Sequence, residues 1–270
     1  MYLAVDIGGS KTLLAVFDKH GQIIKEQKFP TPKDYQEFLA TLISAATALK
    51  PDPGFAAIAV AAPGKIDRKS GVALDFGNLP WHDVNLKTDL EPVAGYAPVF
   101  IENDANLAGL SEALLVHNQY KKVLYLTVST GIGDGIIING IIDPDFADSE
   151  PGQMVLEHKG SLQKWEDFAS GRALKEKYGK KASEIDDPAI WKEFVKGLAQ
   201  GIGELVATLM PEVIIVGGGV GAHFDKFGSF LADELKLYEN NMVKIPPIIE
   251  AQRPEEAVVY GCYDLIKQHL

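Results

Sequence analysis

The amino-acid sequence predicts an α/β protein with two lobes and a central cleft. Apolar strand-like runs alternate with helical patterns, and one unit of strand, glycine turn and strand occurs twice. The chain has 270 residues, of which 46% are hydrophobic, and can bury a substantial core. We expect residues 1–112, completed by a C-terminal helix over 255–270, to form an N-terminal α/β lobe. Residues 113–254 are expected to form a C-terminal α/β lobe.

The first half of the chain supplies a hairpin, a helix and two further strands. Tyr2–Phe17 has aliphatic runs on both sides of glycines that can take positive φ, which predicts a hairpin. Asp34–Leu49 predicts a helix. The run AAIAVAAPG, ending at Gly64, predicts a buried strand, and Val99–Ile101 predicts another that leads into ENDAN.

The second half repeats the hairpin and adds a long helix. Val123–Ile138 follows the plan of the first hairpin, around a Ser-Thr-Gly turn. Ile142–Gly160 carries glycine and proline and predicts an irregular loop, whereas Ile190–Met210 predicts a long helix. The run PEVIIVGGGVG predicts a buried strand followed by a glycine turn.

Composition favours a small ligand over a polyanionic partner. Lys and Arg number 26 against 37 Asp and Glu, and the net charge of -11 gives no electrostatic reason to expect a nucleic acid or an anionic membrane. The apolar stretches are too short to cross a bilayer, and Met1 leads directly into a strand-like run. The single cysteine, Cys262, cannot form an intrachain disulfide, which favours a reducing, cytoplasmic location.

The stretch DIGGSKT suggests a site for phosphate plus metal. Glycine N–H groups can converge on an anion, and the following hydroxyls and lysine add donors and positive charge. The leading acid would oppose an anion unless Mg²⁺, bridged by water, lay between them. The phosphate candidates are Asp6, Gly8, Gly9, Ser10, Lys11 and Thr12, with Asp6 also the metal candidate. Taken alone, the stretch is better explained as a hairpin turn with a polar tip, because short glycine motifs are weak evidence.

Two further glycine turns shift the balance towards a nucleotide. The turn STGIGDG offers a second phosphate site, and the glycines after VIIV would let a base or ribose lie close to the backbone. Their candidate residues are Ser129, Thr130, Gly131, Gly133, Gly217, Gly218 and Gly219. A Rossmann domain would need its glycine turn in an early βαβ unit, whereas GGGVG lies late in the chain.

Colinear motifs resemble the ROK family of sugar kinases, within the actin-like ATPase superfamily. They are DIGGSKT, AIAVAAPG, ENDANLAGLSEA, LTVSTGIGDGIIING, ASGRAL, PEVIIVGGGVG and AVVYGCYDLI, in order over nearly the whole chain. The resemblance implies a two-lobed actin-like ATPase (ribonuclease H-like) fold with a central cleft. It also implies ATP as co-substrate with Mg²⁺.

The resemblance assigns the catalytic base to Asp104 of ENDAN. Phosphoryl transfer needs positioning, charge stabilisation and a carboxylate that accepts the proton of the attacking hydroxyl. Read without the family, Asn103-Asp104 is an ordinary helix N-cap, and both roles are compatible. The sugar-binding candidates implied by the resemblance are Gly64, Asn78, Asn103, Asp104, Glu150, Gln153 and Glu166.

The chain departs from the family pattern in three ways. Gln153 stands where members usually carry a histidine, which puts the identity of the hexose in doubt. The family's zinc-binding cysteines are absent, so we expect no structural zinc, as in a zinc-free subgroup that includes polyphosphate-dependent glucokinases. His158 is a lone loop histidine, more typical of a solvated or capping residue than of a ligand. Asp134 is the third departure, because it stands in a turn where the family commonly has a small residue or glycine. Its side chain either points to solvent or assists the metal.

The expected function is transfer of the γ-phosphate of ATP to a hexose hydroxyl, with glucose the first candidate. Polyphosphate as donor, and N-acetylhexosamine or fructose as acceptor, stay open. A ROK-like sugar-binding or regulatory protein is the non-enzymatic alternative. Regulators of this type carry a helix-turn-helix domain ahead of the kinase-like part, for which we expect no room before Met1. The expected partners are a hexose, a nucleotide and a second copy in a homodimer.

Overall fold

The chain forms two compact α/β units. The computed structural model describes residues 1–77, 79–253 and 256–270, so the sugar-binding candidate Asn78 lies outside the described residues. Unit 1 comprises Met1–Ser111 and Glu256–Leu270, and unit 2 comprises Glu112–Glu255. Among the described residues no helix has the length and apolar character needed to cross a membrane.

Unit 1 combines a five-stranded sheet, a small three-stranded sheet and the helices around them. Its elements are β1 (Tyr2–Ile7), β2 (Lys11–Phe17), β3 (Ile23–Pro30), α1 (Tyr35–Leu49), β4 (Ala57–Ala62), β5 (Ile66–Asp67), β6 (Val72–Phe76), β7 (Leu79–Val84), α2 (Leu86–Asp89), α3 (Glu91–Ala94), β8 (Val99–Asn103) and α4 (Asp104–Val116), whose last turn belongs to unit 2. The large sheet has the order β3-β2-β1-β4-β8. Strands β1 and β2 form the predicted first hairpin, and β4 and β8 run parallel to β1.

Unit 2 repeats this sheet. Its elements are β9 (Lys122–Val128), β10 (Ile132–Ile138), β11 (Ile141–Ile142), a 3₁₀ helix (Pro151–Gln153), β12 (Val155–His158), β13 (Ser161–Lys164), α5 (Trp165–Ala169), α6 (Gly171–Tyr178), a 3₁₀ helix (Ala182–Glu184), α7 (Pro188–Leu209), β14 (Val213–Gly217), α8 (Gly218–Gly221), α9 (Phe224–Leu235), a 3₁₀ helix (Lys236–Tyr238) and β15 (Ile248–Glu250). The large sheet has the order β11-β10-β9-β14-β15. Both sheets therefore have three antiparallel strands followed by two parallel ones, which confirms the repeated unit inferred from the sequence.

Short side-chain caps determine where the main helices begin. Asp34 accepts the N–H of Glu37 at 2.9 Å, so it caps the helix predicted over Asp34–Leu49. The long helix starts at Pro188, two residues earlier than predicted, because Pro suits the first turn behind the Asp187 cap. It ends before Met210, whose φ of 46° is left-handed.

Two local expectations were wrong, and one predicted strand is longer than expected. The predicted loop Ile142–Gly160 contains a 3₁₀ turn and strand β12, because Gly160 (φ 84°) allows a tight reversal into β13. The glycine turn after β14 is the short helix α8, whose first residue has a φ of 80°. The strand predicted over Val99–Ile101 extends to Asn103, which pairs with Ala62.

The C-terminal helix α10 (Ala257–His269) packs on unit 1 through a glycine. It contacts strands β1 and β4, and Gly261 lies directly against the backbone of Leu107 in α4. A Cβ added at Gly261 would overlap the Leu107 carbonyl oxygen. The two helices therefore approach more closely than any residue with a side chain would allow.

We predict that Gly261→Ala lowers the free energy of unfolding by about 2 kcal/mol, because overpacking a close helix contact forces backbone shifts. Urea unfolding followed by circular dichroism measures this. Gly219→Ala is the matched control, since a Cβ at this helical glycine meets no atom within 4 Å. Equal stability of the two variants would contradict the prediction.

Candidate active site

The junction of β8 and α4 holds Asn103 and Asp104 in unit 1. The Asn103 side-chain oxygen accepts the N–H of Ala105 at 2.8 Å and that of Asn106 at 3.2 Å, so Asn103 caps the helix. Its amide donates to the Gly64 carbonyl at 3.1 Å. Asp104 is the first helical residue, and its Oδ1 also accepts the N–H of Ala105, at 2.9 Å. The capping role that the sequence left open therefore belongs to Asn103.

Gly64 has a backbone reason for being glycine. Its φ is 86°, and a Cβ there would overlap the Asp75 carbonyl oxygen. Its carbonyl is the acceptor that orients the Asn103 amide. Gly64 thus supports Asn103 through its main chain.

Two carboxyl groups of unit 1, those of Asp6 and Asp104, have raised pKa values. Burial, and then the charge of Asp104, raise the pKa of Asp6 from 3.8 to about 7, although Lys11 and Lys28 oppose the shift. Burial also raises the pKa of Asp104 above its ordinary value, against the effect of the Ala105 N–H. Unit 1 therefore places two carboxylates where negative charge is poorly solvated.

The turn after β1 is held by two residues, Thr31 and Lys33, that follow β3. Thr31 donates its hydroxyl to the Gly8 carbonyl at 2.7 Å, and its N–H donates to the Ser10 carbonyl at 3.1 Å. Lys33 donates to the Gly9 carbonyl at 3.1 Å. No hydrogen bond found among the described residues has the N–H of Gly9 or Ser10 as its donor, so these groups are free to face an anion.

Thr12 differs from the other members of the predicted phosphate set. Its side chain is fully buried, and its hydroxyl lies 2.9 Å from the hydroxyl of Thr31. The lysine before it, Lys11, is exposed. Thr12 therefore anchors the turn internally, whereas Lys11 is available to a ligand.

The surroundings of Asp6 fit a divalent cation. Among residues 1–77, 79–253 and 256–270 no group of three or more His, Cys, Asp or Glu side chains is arranged to hold a metal. A Mg²⁺ ion would therefore take most of its ligands from water and from phosphate, with Asp6 as the protein carboxylate. Positive charge at this point would relieve the unfavourable burial that raises the pKa of Asp6.

Unit 2 contains a cavity of about 470 Å³ beside the second hairpin turn. Three of the predicted nucleotide-binding residues line it: Ser129, Thr130 and Gly219. Cationic side chains also line it, namely Arg172, Lys175 and Lys181. A cavity of this volume suits a small organic ligand, and the cations favour one that carries negative charge.

The other predicted glycines of unit 2 have structural roles. A Cβ at Gly217 would overlap the Tyr125 hydroxyl, and one at Gly218 would crowd the Thr127 side chain and the Val128 backbone. A Cβ at Gly131 would press on the Glu166 carboxylate. Gly133 lies within strand β10. Of the seven candidates in unit 2, only Ser129, Thr130 and Gly219 line the cavity.

Glu166 connects the predicted sugar residues of unit 2. Its Oε1 accepts the Gln153 side-chain amide at 3.0 Å, and its Oε2 accepts the Ile132 N–H at 3.4 Å. Arg172, which lines the cavity, lies 3.5 Å from the same carboxylate. Glu150 immediately precedes the 3₁₀ turn that carries Gln153. Gln153 stands where family members usually carry a histidine. Its side-chain amide donates to a carboxylate, as the N–H of a histidine ring would.

Asp134 does not take the solvent-facing position that the sequence left open. Its side chain is 4% exposed, so it does not point to solvent, and its Oδ1 accepts the Ser149 hydroxyl at 2.6 Å. Burial raises its pKa to about 6. The contact ties strand β10 to the segment just before Glu150.

His158 is held by an aromatic ring. It stacks on Phe168 with centroids 4.1 Å apart and an interplanar angle of 8°, and burial lowers its pKa. The interpretation as a capping or solvated loop residue therefore needs correcting, since His158 ends strand β12 and packs on α5.

Sequence reasoning missed several residues of these sites. Thr31 and Lys33 lie about twenty residues after the turn they hold, with no local signal linking them. Arg172 and Glu102 stand inside the quoted motifs ASGRAL and ENDAN, so those motifs carried their signal. Lys175 and Lys181 could have been found only through the helical spacing of α6 and the chain beyond it.

Comparisons with known proteins agree over nearly the whole chain. The model of the ROK family matches residues 2–269. A glucokinase from Streptomyces coelicolor is 26% identical, over 98% of this chain and 97% of the relative. An N-acetyl-D-glucosamine kinase from Histophilus somni is 30% identical, over 97% of each chain. The crystal structure of a ROK hexokinase from Thermus thermophilus matches with a TM-score of 0.80 and 28% identity, over 99% of each chain.

These matches and the two sheets of equal strand order define the actin-like ATPase (ribonuclease H-like) fold, so the predicted fold class is confirmed. Because the family model spans residues 2–269, this chain belongs to the ROK family. The resemblance inferred from the sequence motifs is thereby confirmed.

We predict that the metal-free protein loses stability as the pH rises from about 4 to about 7, because Asp6 holds its proton more tightly in the folded state than in the unfolded state. The rise in pKa from 3.8 to about 7 corresponds to up to about 4 kcal/mol at 1.36 kcal/mol per unit. Asp6→Asn should remove the share of this loss that comes from Asp6, whereas Asp104 and Asp134, whose pKa values are also raised, keep theirs. Urea unfolding in EDTA at pH 5 and pH 8 measures the difference.

The exposed Asp233→Asn is the control for this experiment, since its side chain is 73% exposed. We also expect Mg²⁺ at pH 8 to raise the melting temperature of the wild type but not of Asp6→Asn. An Asp6→Asn variant that keeps the pH dependence of the wild type would refute the explanation.

Proposed function

We propose that this protein is a sugar kinase that transfers the γ-phosphate of ATP to a hexose hydroxyl, with glucose the first candidate. The observation that carries the proposal is the β8–α4 junction, where Asn103 caps the helix and burial raises the pKa of Asp104, the next residue. A carboxylate in this environment is a stronger base than one in water. Membership of the ROK family, whose relatives above are named as kinases of two different sugars, supports the class of reaction.

Asp104 would act as the general base. It would accept the proton of the attacking hydroxyl as that oxygen bonds to the γ-phosphorus and the bond to the β-phosphate oxygen breaks. One oxygen of Asp104 already accepts the Ala105 N–H, which fixes the carboxylate and leaves Oδ2 to face a hydroxyl. Asn103, held by Gly64, would bind a neighbouring hydroxyl of the sugar.

Glu150, Gln153 and Glu166 would bind the remaining hydroxyls. A sugar loses affinity when its buried hydroxyls are unpaired, so the acceptor site needs several carboxylate and amide groups. The Glu166–Gln153 hydrogen bond would orient the Gln153 carbonyl as an acceptor for a sugar hydroxyl. Because Gln153 stands where family members usually carry a histidine, the choice among hexoses and N-acetylhexosamines is left to experiment.

The donor would be a nucleotide bound partly in the 470 Å³ cavity. Ser129 and Thr130 offer hydroxyls and N–H groups to phosphate, and Gly219 leaves room beside the ligand. The turn at Gly9 and Ser10 would be a phosphate site of unit 1, with Lys11 supplying positive charge. Mg²⁺, when bound, would neutralise phosphate charge near Asp6. The cavity cations Lys175 and Lys181 equally suit a polyphosphate chain, which keeps that donor as the second candidate.

A matrix of donors and acceptors tests the proposal. ATP, GTP and polyphosphate are each combined with glucose, mannose, fructose, N-acetylglucosamine and N-acetylmannosamine, and phosphorylated sugar is measured directly. We expect turnover with ATP and glucose. Binding of a hexose without turnover from any donor would favour a sugar-binding or regulatory protein. Faster turnover with polyphosphate would change the donor and leave the acceptor site intact.

We predict that Asp104→Asn lowers kcat by at least about a hundredfold while hexose affinity changes little, since the amide keeps hydrogen bonds but cannot accept the proton. The coupled assay and isothermal titration with the best sugar measure the two effects. Asp233→Asn, far from these motifs in sequence and exposed, should match the wild type. Near-normal turnover in Asp104→Asn would remove this residue from the mechanism.

A further inference from the structure

Glu102 is a buried carboxylate that holds the catalytic junction together. Glu102 is 5% exposed and directly precedes Asn103 in the chain. Its Oε1 accepts the Asn103 N–H at 2.7 Å and the Asn106 side-chain amide at 2.9 Å. One carboxylate therefore ties the end of strand β8 to the first turn of helix α4.

Arg68 supplies the charge that this carboxylate needs. Its Nε donates to Glu102 Oε2 at 2.7 Å, and its Nη2 donates to Oε1 at 2.6 Å, which forms a bidentate pair. Arg68 follows strand β5 and comes from a different sheet from Glu102. The planar guanidinium matches both carboxylate oxygens, whereas a lysine would offer a point charge.

We propose that Arg68 and Glu102 are positioning residues for the phosphoryl-transfer reaction, fixing the direction of the Asp104 carboxylate through the backbone of Asn103. This inference rests on the proposed function. Arg68 restrains Glu102, and Glu102 restrains the N–H of Asn103. Asn103 and Asp104 then share the N–H of Ala105, so a shift of Asn103 turns the base.

The size of the effect follows from the geometry of proton transfer. A displacement of the base by about 1 Å is enough to lower a rate by about a hundredfold. We assign neither Arg68 nor Glu102 a proton exchange with the sugar, because Arg68 donates to Glu102 and Glu102 accepts hydrogen bonds from Asn103 and Asn106. The pair should therefore influence kcat far more than the KM of either substrate.

A cavity beside the pair makes a chemical test possible. It has a volume of about 330 Å³ and is lined by Arg68 and Glu102 together with Lys87, Phe100 and His269. Shortening Arg68 to alanine would enlarge this space next to the Glu102 carboxylate. A free guanidinium ion is small enough to enter it and can make the same two hydrogen bonds.

The first experiment compares Arg68→Ala, Arg68→Lys and the control Lys69→Ala, which removes a neighbouring exposed cation. We expect Arg68→Ala to lower kcat about ten- to a hundredfold, with each KM within about twofold of the wild type. The kcat of Arg68→Lys should fall between that of Arg68→Ala and that of the wild type. Low millimolar guanidinium should restore part of kcat in Arg68→Ala alone, and equal concentrations of urea or sodium chloride should not. Normal kcat in Arg68→Ala, or loss without guanidinium rescue, overturns the proposal.

A double variant separates positioning from folding. Arg68→Ala leaves a buried carboxylate without its guanidinium and is expected to lower the melting temperature. Combining Arg68→Met with Glu102→Gln removes both charges, so no buried ion is left unpaired. We expect this variant to unfold close to the wild-type temperature and still to show a reduced kcat. Wild-type kcat in a folded double variant refutes the positioning role.

A readout that does not use activity separates this proposal from the proposed function. Amide hydrogen exchange of the peptide covering residues 100–107 is compared in the wild type and the double variant. Faster exchange in the variant supports the Arg68–Glu102 restraint, and unchanged exchange overturns it. Wild-type protein that phosphorylates no hexose refutes the kinase proposal, and the exchange result still decides whether the pair restrains the junction.

Discussion

The structure of unit 1 depends on holding two carboxyl groups, Asp6 and Asp104, where water solvates them poorly. Their burial raises both pKa values, and the chain segments that carry them must be fixed against that cost. The parallel order β1, β4 and β8 brings the two strand ends to one edge of the sheet. Hydrogen bonds from Asn103 to the Gly64 carbonyl and from Thr31 to the Gly8 carbonyl then restrain the backbone around them.

Unit 2 restrains its predicted sugar residues by a different route. Glu166 receives hydrogen bonds from Gln153 and from the backbone after the second glycine turn, and Arg172 pairs with it from the wall of the 470 Å³ cavity. A movement of the Glu166 carboxylate would therefore shift both Gln153 and Arg172, and Arg172 lines the cavity of the same unit. Asp134 adds a further tie, through Ser149, to the segment that precedes Glu150.

The sequence predicted the elements whose signals are local. The two hairpins were evident because glycines interrupt long aliphatic runs, and helix α1 because Asp34 precedes an apolar pattern. The strand β12 was missed, since the run around Val155 and His158 mixes polar and apolar residues and pairs only with its immediate neighbour. The motifs identified Asn103 and Asp104, but which of them caps the helix depends on side-chain rotamers that no spacing encodes.

Long-range partners were equally invisible in the sequence. Arg68 and Glu102 are separated by 34 positions, and Thr31 by 23 from Gly8, so only the folded sheets bring them together. Several glycines were assigned to ligand binding when packing explains them. Gly217 leaves space for the Tyr125 hydroxyl, and a motif cannot distinguish that need from close approach of a ligand.

The discontinuity of unit 1 has a consequence for the order in which the protein is made. Helix α10 covers strands β1 and β4, yet it is translated after every residue of unit 2. A ribosome-bound chain can therefore complete the sheet of unit 2 while the sheet of unit 1 still lacks one of its helical covers. Strands β1 and β4 therefore stay without this cover until α10 emerges, and the nascent chain must keep them from pairing wrongly during that time.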